Sequence, residues 1–274
     1  DMNLKNNCKR AAGLGLIAAG ALMASQAAMA CQLSAWSSNF GSPVAGDPTG
    51  GDLDGTIPRY SGFCGLATVD GAVSGVRDDS PGGIDRIRAR FYVLLDNGAT
   101  TSIYEGLDST DGTVFSVEAD SSGNISLVGG GATVGPIAGN DGAWNSVEID
   151  WDPSGGGATL IVNEETPANQ SVGGASPISS VLLGNLDGAG GLLYFDSYES
   201  RRTEAIGRLC PGEVTGDGDR TTDDVLEIFG TEVASGGADL VAGQPDFTED
   251  GAVTNDDVLA LFNDVVSLGA GECP

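Results

Sequence analysis

Between residues 86 and 198 the chain alternates apolar and polar side chains in short runs, broken by Gly, Asn, Asp and Ser. Period-two alternation sends successive side chains to opposite faces, so each run predicts a half-buried antiparallel strand. Runs at 86–95 and 99–107 flank Asp96-Asn97-Gly98, a sequence that predicts a hairpin turn. Runs at 113–119 and 125–128 flank Asp120-Ser121-Ser122-Gly123-Asn124 and predict a second hairpin. A third is predicted where 143–151 and 158–163 flank the proline- and glycine-rich turn from Asp152 to Gly157. Two more strands are expected at 178–183 and 192–198. Strands at this spacing, with few helical stretches, predict a mainly β antiparallel sandwich spanning residues 31–209.

After residue 209 the periodicity changes. Residues 221–229 read Thr-Thr-Asp-Asp-Val-Leu-Glu-Ile-Phe and residues 254–262 read Thr-Asn-Asp-Asp-Val-Leu-Ala-Leu-Phe, an offset of 33 residues. Asp217-Gly218 and Asp250-Gly251 keep the same offset, so the whole unit is duplicated: an acidic loop running into a short amphipathic helix. A calcium loop of twelve residues places side-chain oxygens at positions 1, 3, 5, 9 and 12, a backbone carbonyl at 7 and glycine at 6. With Gly251 at position 6, the ligands are Asp246, Thr248, Asp250, Thr254 and Asp257, with the carbonyl of Ala252. With Gly218 there, they are Glu213, Thr215, Asp217, Thr221 and Asp224, with Asp219 at position 7. Hard oxygen donors crowded into a dozen residues call for Ca²⁺ to offset their repulsion. The second loop is the better candidate. The first has Glu213 at position 1 and Arg220 where the second has Val253. Thr221 and Thr254 also suit helix N-caps before acidic first turns, though caps alone do not require the Asp-Gly pairs upstream.

Two such loop–helix units in tandem resemble dockerin modules, over residues 210–274. The resemblance implies calcium-dependent folding and attachment to a partner, such as a cohesin-like receptor or a surface. Cys210 and Cys273 bracket the unit, as a disulfide closing the module would.

A second resemblance lies in Trp144-Asn145-Ser146-Val147-Glu148-Ile149-Asp150-Trp151, the glycine-rich turn, and Thr159-Leu160-Ile161-Val162-Asn163. With the closing run from Leu193 to Arg202, this pattern is similar to laminin-G-like, concanavalin-type jelly rolls, from about residue 86 to 209. Members of that class bind glycans or proteins, and a smaller branch hydrolyses β-glucans. Glu148, Asp150 and Asp152 fall on one strand face, as the carboxylates of laminarinase-type glycosidases do, and a retaining pair stands roughly 5–5.5 Å apart. Against catalysis, Asp152 stands where those enzymes carry glutamate, and Pro153 follows it at once. Val147, Ile149 and Trp151 already explain the strand as a core element. The expectation is therefore no catalytic residue and no enzyme.

Charge narrows the partners. The net charge is −27, both lysines lie before residue 10, and there is no histidine. This rules out histidine acid–base catalysis and histidine-ligated zinc or iron, and it disfavours nucleic acid and anionic membranes. Residues 1–30 read as a secretory signal. Lys5, Lys9 and Arg10 precede an apolar run at 11–24, and Ala28-Met29-Ala30 comes before Cys31. The expected location is extracellular or at the cell surface, with no membrane span; a lipid anchor on Cys31 is the competing reading. Loss of Cys8 with the signal leaves Cys31, Cys64, Cys210 and Cys273. The simplest pairing is Cys31–Cys64 with Cys210–Cys273, and the other two pairings stay open. Asn124 and Asn169 fit the glycosylation sequon, Arg201-Arg202 suits an ion-pair site, and Asp52 and Asp54 sit in an acidic loop at 47–55.

Together these readings predict an exported, non-catalytic, calcium-stabilised cell-surface or matrix protein. Its sandwich would bind a glycan, a surface protein or copies of itself. Two alternatives remain: a fibre subunit donating residues 32–40 as a strand, and a β-glucan hydrolase using Glu148.

Overall fold

The alternating runs fold as strands because each carries one apolar row to bury and one polar row to leave in water. A computed structural model describes residues 33–46, 60, 65–95, 98–140, 142–174, 176–214, 219–233, 245–248, 253–268 and 271–272. In chain order the first strands are β1 Ser38–Phe40, β2 Val44–Gly46, β3 Gly65–Ala67, β4 Ser74–Asp78, β5 Ile87–Leu94, β6 Thr101–Leu107 and β7 Thr113–Ala119. Then come β8 Ile125–Gly129, β9 Ala132–Ile137, β10 Trp144–Asp152, β11 Gly157–Val162, β12 Ala168–Gln170, β13 Ser180–Asn185 and β14 Tyr194–Arg201.

They form two seven-stranded sheets, ordered β1-β4-β13-β6-β7-β8-β9 and β12-β11-β10-β5-β14-β3-β2. The fold is thus a mainly β antiparallel sandwich followed by short helices. The core lies between the sheets: Ile87, Ala89, Phe91 and Val93 of β5 and Val147, Ile149 and Trp151 of β10 meet Tyr104, Phe115 and Val117 of the first sheet. Phe115 and Trp151 pack with ring centroids 4.9 Å apart, and Phe91 and Tyr104 at 5.4 Å.

The β7–β8 and β10–β11 hairpins form as their turn sequences predict, with Ala119 opposite Ile125 and Asp152 opposite Gly157. The expected hairpin around Gly98 does not. β5 pairs with β10 and β14, whereas β6 pairs with β7 and β13 in the other sheet. Both lateral edges of each strand are already occupied, and the two strands belong to different sheets. Asp96 and Asn97 lie outside the described residues. β1 pairs with β4 at the edge of its own sheet, so Ser38–Phe40, part of the segment offered above as a donated strand, is placed within its own chain.

The C-terminal repeats give α1 Thr222–Glu227, continuing as a π-helical turn Ile228–Val233, and α2 Asn255–Leu268. Two short strands, β15 Asp219–Arg220 and β16 Gly271–Glu272, pair antiparallel. Val225, Ile228, Val253, Leu261 and Val265 make a separate small core. Ile228 and Leu261 are equivalent positions of the two repeats, as are Val225 and Val258, which packs against this core. Arg220, the departure noted in the first loop, forms an ion pair with Asp264 of α2 at 3.1 Å, and its guanidinium lies 5.7 Å from the Phe247 ring.

Among the described residues no helix is long and apolar enough to cross a membrane. Cys210 is disulfide-bonded. Every other cysteine, the residue 1–30 segment and the 47–55 loop lie outside the described residues.

Candidate functional site

The outer face of the second sheet carries most of the chemistry. Because β5 turns its apolar row inward, Arg86, Arg88, Arg90, Tyr92 and Leu94 share the outer side. β10 answers in register, Asp150 opposite Arg88 and Glu148 opposite Arg90. Arg86 donates from Nε and Nη2 to Asp150 at 3.0 and 2.6 Å, and Arg88 Nε adds a bond of 2.9 Å. Arg86 also reaches Asp152 at 3.4 Å. Asp152 in turn accepts the Gly155 amide at 2.7 Å and closes the hairpin turn. Across the sheet Arg201 pairs with Glu199 at 2.7 Å, and Arg202 donates to the Ser80 carbonyl at 3.2 Å.

Burial pushes the Asp150 carboxyl up, but the hydrogen bonds and charges of Arg86 and Arg88 outweigh it and hold the group below its ordinary 3.8. A depressed folded value means stability that is present above 3.8 and lost as pH falls through the folded value. The acid limb of the sandwich's urea stability curve should therefore fall below pH 3.8. Asp150→Asn should flatten that limb while lowering stability near neutrality by about 2 kcal/mol, the worth of hydrogen bonds to a charged group. Equal acid limbs in the two proteins would contradict this role.

Glu148 accepts the backbone amides of Ile206 and Gly207, both at 3.0 Å. Arg90 donates to the Gly207 carbonyl at 3.0 Å and to Glu199 at 3.2 Å, and the Leu209 amide donates to the Tyr92 hydroxyl at 2.7 Å. Residues 206–209 are thus strapped across the sheet just before Cys210. Glu148, Asp150 and Asp152 do share one face, as alternation predicted. Glu148 anchors the strap and Asp150 the arginines, so the laminarinase-type roles find no support in this arrangement.

Two clefts open on this face. One is lined by Arg86, Asp150, Asp152, Thr159, Asn169 and Gln170. The other, beneath the strap, is lined by Arg90, Ser146, Glu148, Ile161, Pro167 and Gly207 among others. Neither was named from the sequence, because strand order brings their walls together. One signal was visible: Arg-x-Arg-x-Arg at 86–90 and Glu-x-Asp-x-Asp at 148–152 have matching period-two spacing. At the sequons, Asn124 donates from Nδ2 to Asp120 at 2.8 Å, and Asn169 accepts the Thr159 hydroxyl at 2.6 Å.

In the second acidic loop the described residues converge. Asp257, fully buried, accepts the Thr248 amide and hydroxyl at 2.9 Å each and the Thr254 amide at 2.7 Å. The same Thr248 hydroxyl lies 3.5 Å from Asp246, itself 6 % exposed. Positions 1, 3, 9 and 12 therefore meet. In the first loop Asp224 is fully buried, Glu213 is 8 % exposed, and Asp224 accepts the Val214 and Thr221 amides at 2.9 and 2.7 Å. Thr221 and Asp224 form a capping box at α1, so the cap geometry noted in the sequence is present alongside the loop spacing.

A hydroxyl has one proton to give, and Thr248 cannot serve both carboxylates at once. The Thr248 hydroxyl thus stands between two buried carboxylates, Asp246 and Asp257, oxygen donors of the kind that Ca²⁺ takes. Among the described residues no group of three or more His, Cys, Asp or Glu side chains is placed to hold a metal ion. Thr215, Asp217, Asp250 and Ala252, and the side chain of Asp219, lie outside the described set.

No protein-family model and no curated protein matches the chain. Among solved structures it is similar to a sialidase, at 13% identity and TM-score 0.39, over 52% of this chain and 15% of that one. It is also similar to a cellulose-induced protein, Cip1, at 13% identity and TM-score 0.44, over 61% of this chain and 88% of that one. The alginate lyase AlyC3 matches at 7% identity and TM-score 0.40, over 52% of this chain and 75% of that one. The chain thus spans less than a sixth of the sialidase, and these likenesses concern the sandwich fold alone. Two of these neighbours carry the names of enzymes, a sialidase and an alginate lyase, and the expectation of no enzyme is not upheld.

Proposed function

We propose that the chain is an exported, extracellular or surface-located protein whose sandwich engages glycan on the outer face of the β5–β10 sheet. Residues 210–274 form a dockerin-like module that folds around Ca²⁺ and attaches the sandwich to a partner. In this reading Asp246, Thr248, Asp250, Thr254 and Asp257, with the Ala252 carbonyl, hold one ion. Glu213, Thr215, Asp217, Thr221 and Asp224, with the carbonyl of Asp219, offer a second site. Bound calcium would supply the positive charge that lets these carboxylates stay buried. Cys210–Cys273 closes the module, and Cys31–Cys64 staples the sandwich.

The observation that carries the calcium reading is the convergence of Asp246, Thr248, Thr254 and Asp257. The attachment reading is supported by equivalent apolar side chains left exposed in the two repeats, Leu226 and Phe229 in one and Leu259 and Phe262 in the other. They give a cohesin-like receptor, or another copy of the chain, an apolar face to cover.

Differential scanning calorimetry tests the calcium part. In excess calcium the C-terminal transition should sit well above its position in EDTA, with the sandwich transition unmoved. Superimposable scans in the two buffers would remove the reading.

A further inference from the structure

α2 is apolar over a wider arc than the small core uses. Leu261 and Val265 are buried in that core, and Val258 packs against it. One position further round the helix, Leu259, Phe262 and Val266 repeat the same spacing and stand 57, 45 and 63 % exposed. The first repeat does the same over a shorter length: Val225 and Ile228 are buried, Leu226 and Phe229 exposed. Five of the six large apolar side chains that the described residues leave exposed belong to these two stripes, the sixth being Val73 of the sandwich. Apolar anchors at this spacing are how a helix seats itself on an apolar strip of another protein.

Charge says what must flank that strip. Asp223 and Asp256 are exposed and stand three residues before Leu226 and Leu259, each on the same helix face as its leucine. Residues 210–274 hold fifteen Asp and Glu against one Arg, Arg220, which Asp264 already engages. Two bound calcium ions, four positive charges, would leave most of that excess in place. A surface docking here enters a field of carboxylates, so a basic rim attracts it and an acidic rim repels it.

A second copy of the chain fails that condition. The net charge is −27. Among the described residues every arginine is in an ion pair with a carboxylate of its own chain, except Arg202, which donates to the Ser80 carbonyl. Stripe against stripe would press acid on acid with the arginines already committed.

We propose that the outer stripe of α2, with its equivalent on α1, docks a different protein whose apolar strip is flanked by lysine or arginine, and does not pair with a second copy. The proposal rests on the attachment reading above and adds the chemistry of the partner.

The probes are two labelled synthetic amphipathic helices with one leucine stripe in common, flanked by lysines in one and by glutamates in the other. The full chain, saturated with calcium, is titrated into each and followed by fluorescence anisotropy, and sedimentation equilibrium gives its oligomeric state. The expected result is a monomer that prefers the lysine helix, with an affinity that falls as salt rises. Leu259→Ser combined with Val266→Ser should weaken that binding roughly tenfold or more, the worth of one buried leucine. Val73→Ser should leave it unchanged. Both stripe positions are exposed, and Phe262→Ser alone is the second variant should the pair disturb the helix. Lysine-helix binding that the folded stripe variants leave unchanged is charge attraction alone and overturns the face. Equal binding of the two helices overturns the basic partner. A dimer that the stripe variants dissociate assigns the face to a second copy instead. A monomer that binds neither helix takes the attachment reading down with the proposal.

Discussion

Trp151→Ala should lower the stability of the sandwich by about 4 kcal/mol, the usual cost of deleting a buried tryptophan side chain. Trp151 is fully buried and spans the space between the sheets. Its ring packs on Phe115 at 4.9 Å, and a Cβ added at Gly129 would stand 2.7 Å from its far edge. A large residue thus faces a residue with no side chain, and alanine leaves a hole that neither neighbour fills. The indole Nε1 has no hydrogen-bond partner among the described residues, so most of the loss comes from volume and contact. Trp151→Phe should accordingly cost clearly less than Trp151→Ala. Urea unfolding of both variants checks this, and equal losses would show that the N–H matters more than the packing.

Asp257→Ala should unfold the C-terminal repeats while leaving the sandwich folded. One Asp257 oxygen takes the amide and hydroxyl of Thr248, and the other takes the Thr254 amide. Truncation leaves those two part-buried amides without their acceptor, at about 1 kcal/mol each, before any loss of a metal ligand is counted. The core it supports is five buried side chains, Val225, Ile228, Val253, Leu261 and Val265, too few to absorb such a loss. Asp257→Asn separates the two effects, because the amide keeps one acceptor oxygen but not the charge. Amide hydrogen exchange should show protection of 255–268 abolished in Asp257→Ala and partly retained in Asp257→Asn. Full protection in Asp257→Ala would mean that the carboxylate holds nothing essential.

The strands were legible wherever one face is apolar and a turn residue follows. β7 was placed to the residue, and β10 and β11 within one residue at each end. β2 to β4 were missed because they are three to five residues long and carry little alternation. β9 and β12 lie at sheet edges with one neighbour each, where burial imposes little pattern. The turn signal at Gly98 misled because it reports a reversal of direction, whereas pairing depends on which edges are already occupied. Spacing gave the acidic loops, and the structure brings Asp246, Thr248, Thr254 and Asp257 together in the second. The strap over Glu148 was illegible. Ile206 and Gly207 act there through backbone amides, 58 and 59 residues from their acceptor. The expectation of no enzyme rested on one strand's carboxylates and did not address the rest of that surface.

Binding of calcium to the chelator-stripped chain, followed by isothermal titration calorimetry, most directly tests the claim that the duplicated acidic loops fold around metal. Saturable heat with at least one ion per chain, lost in Asp257→Ala, is the predicted result. No heat and no retained calcium after equilibrium dialysis would contradict it.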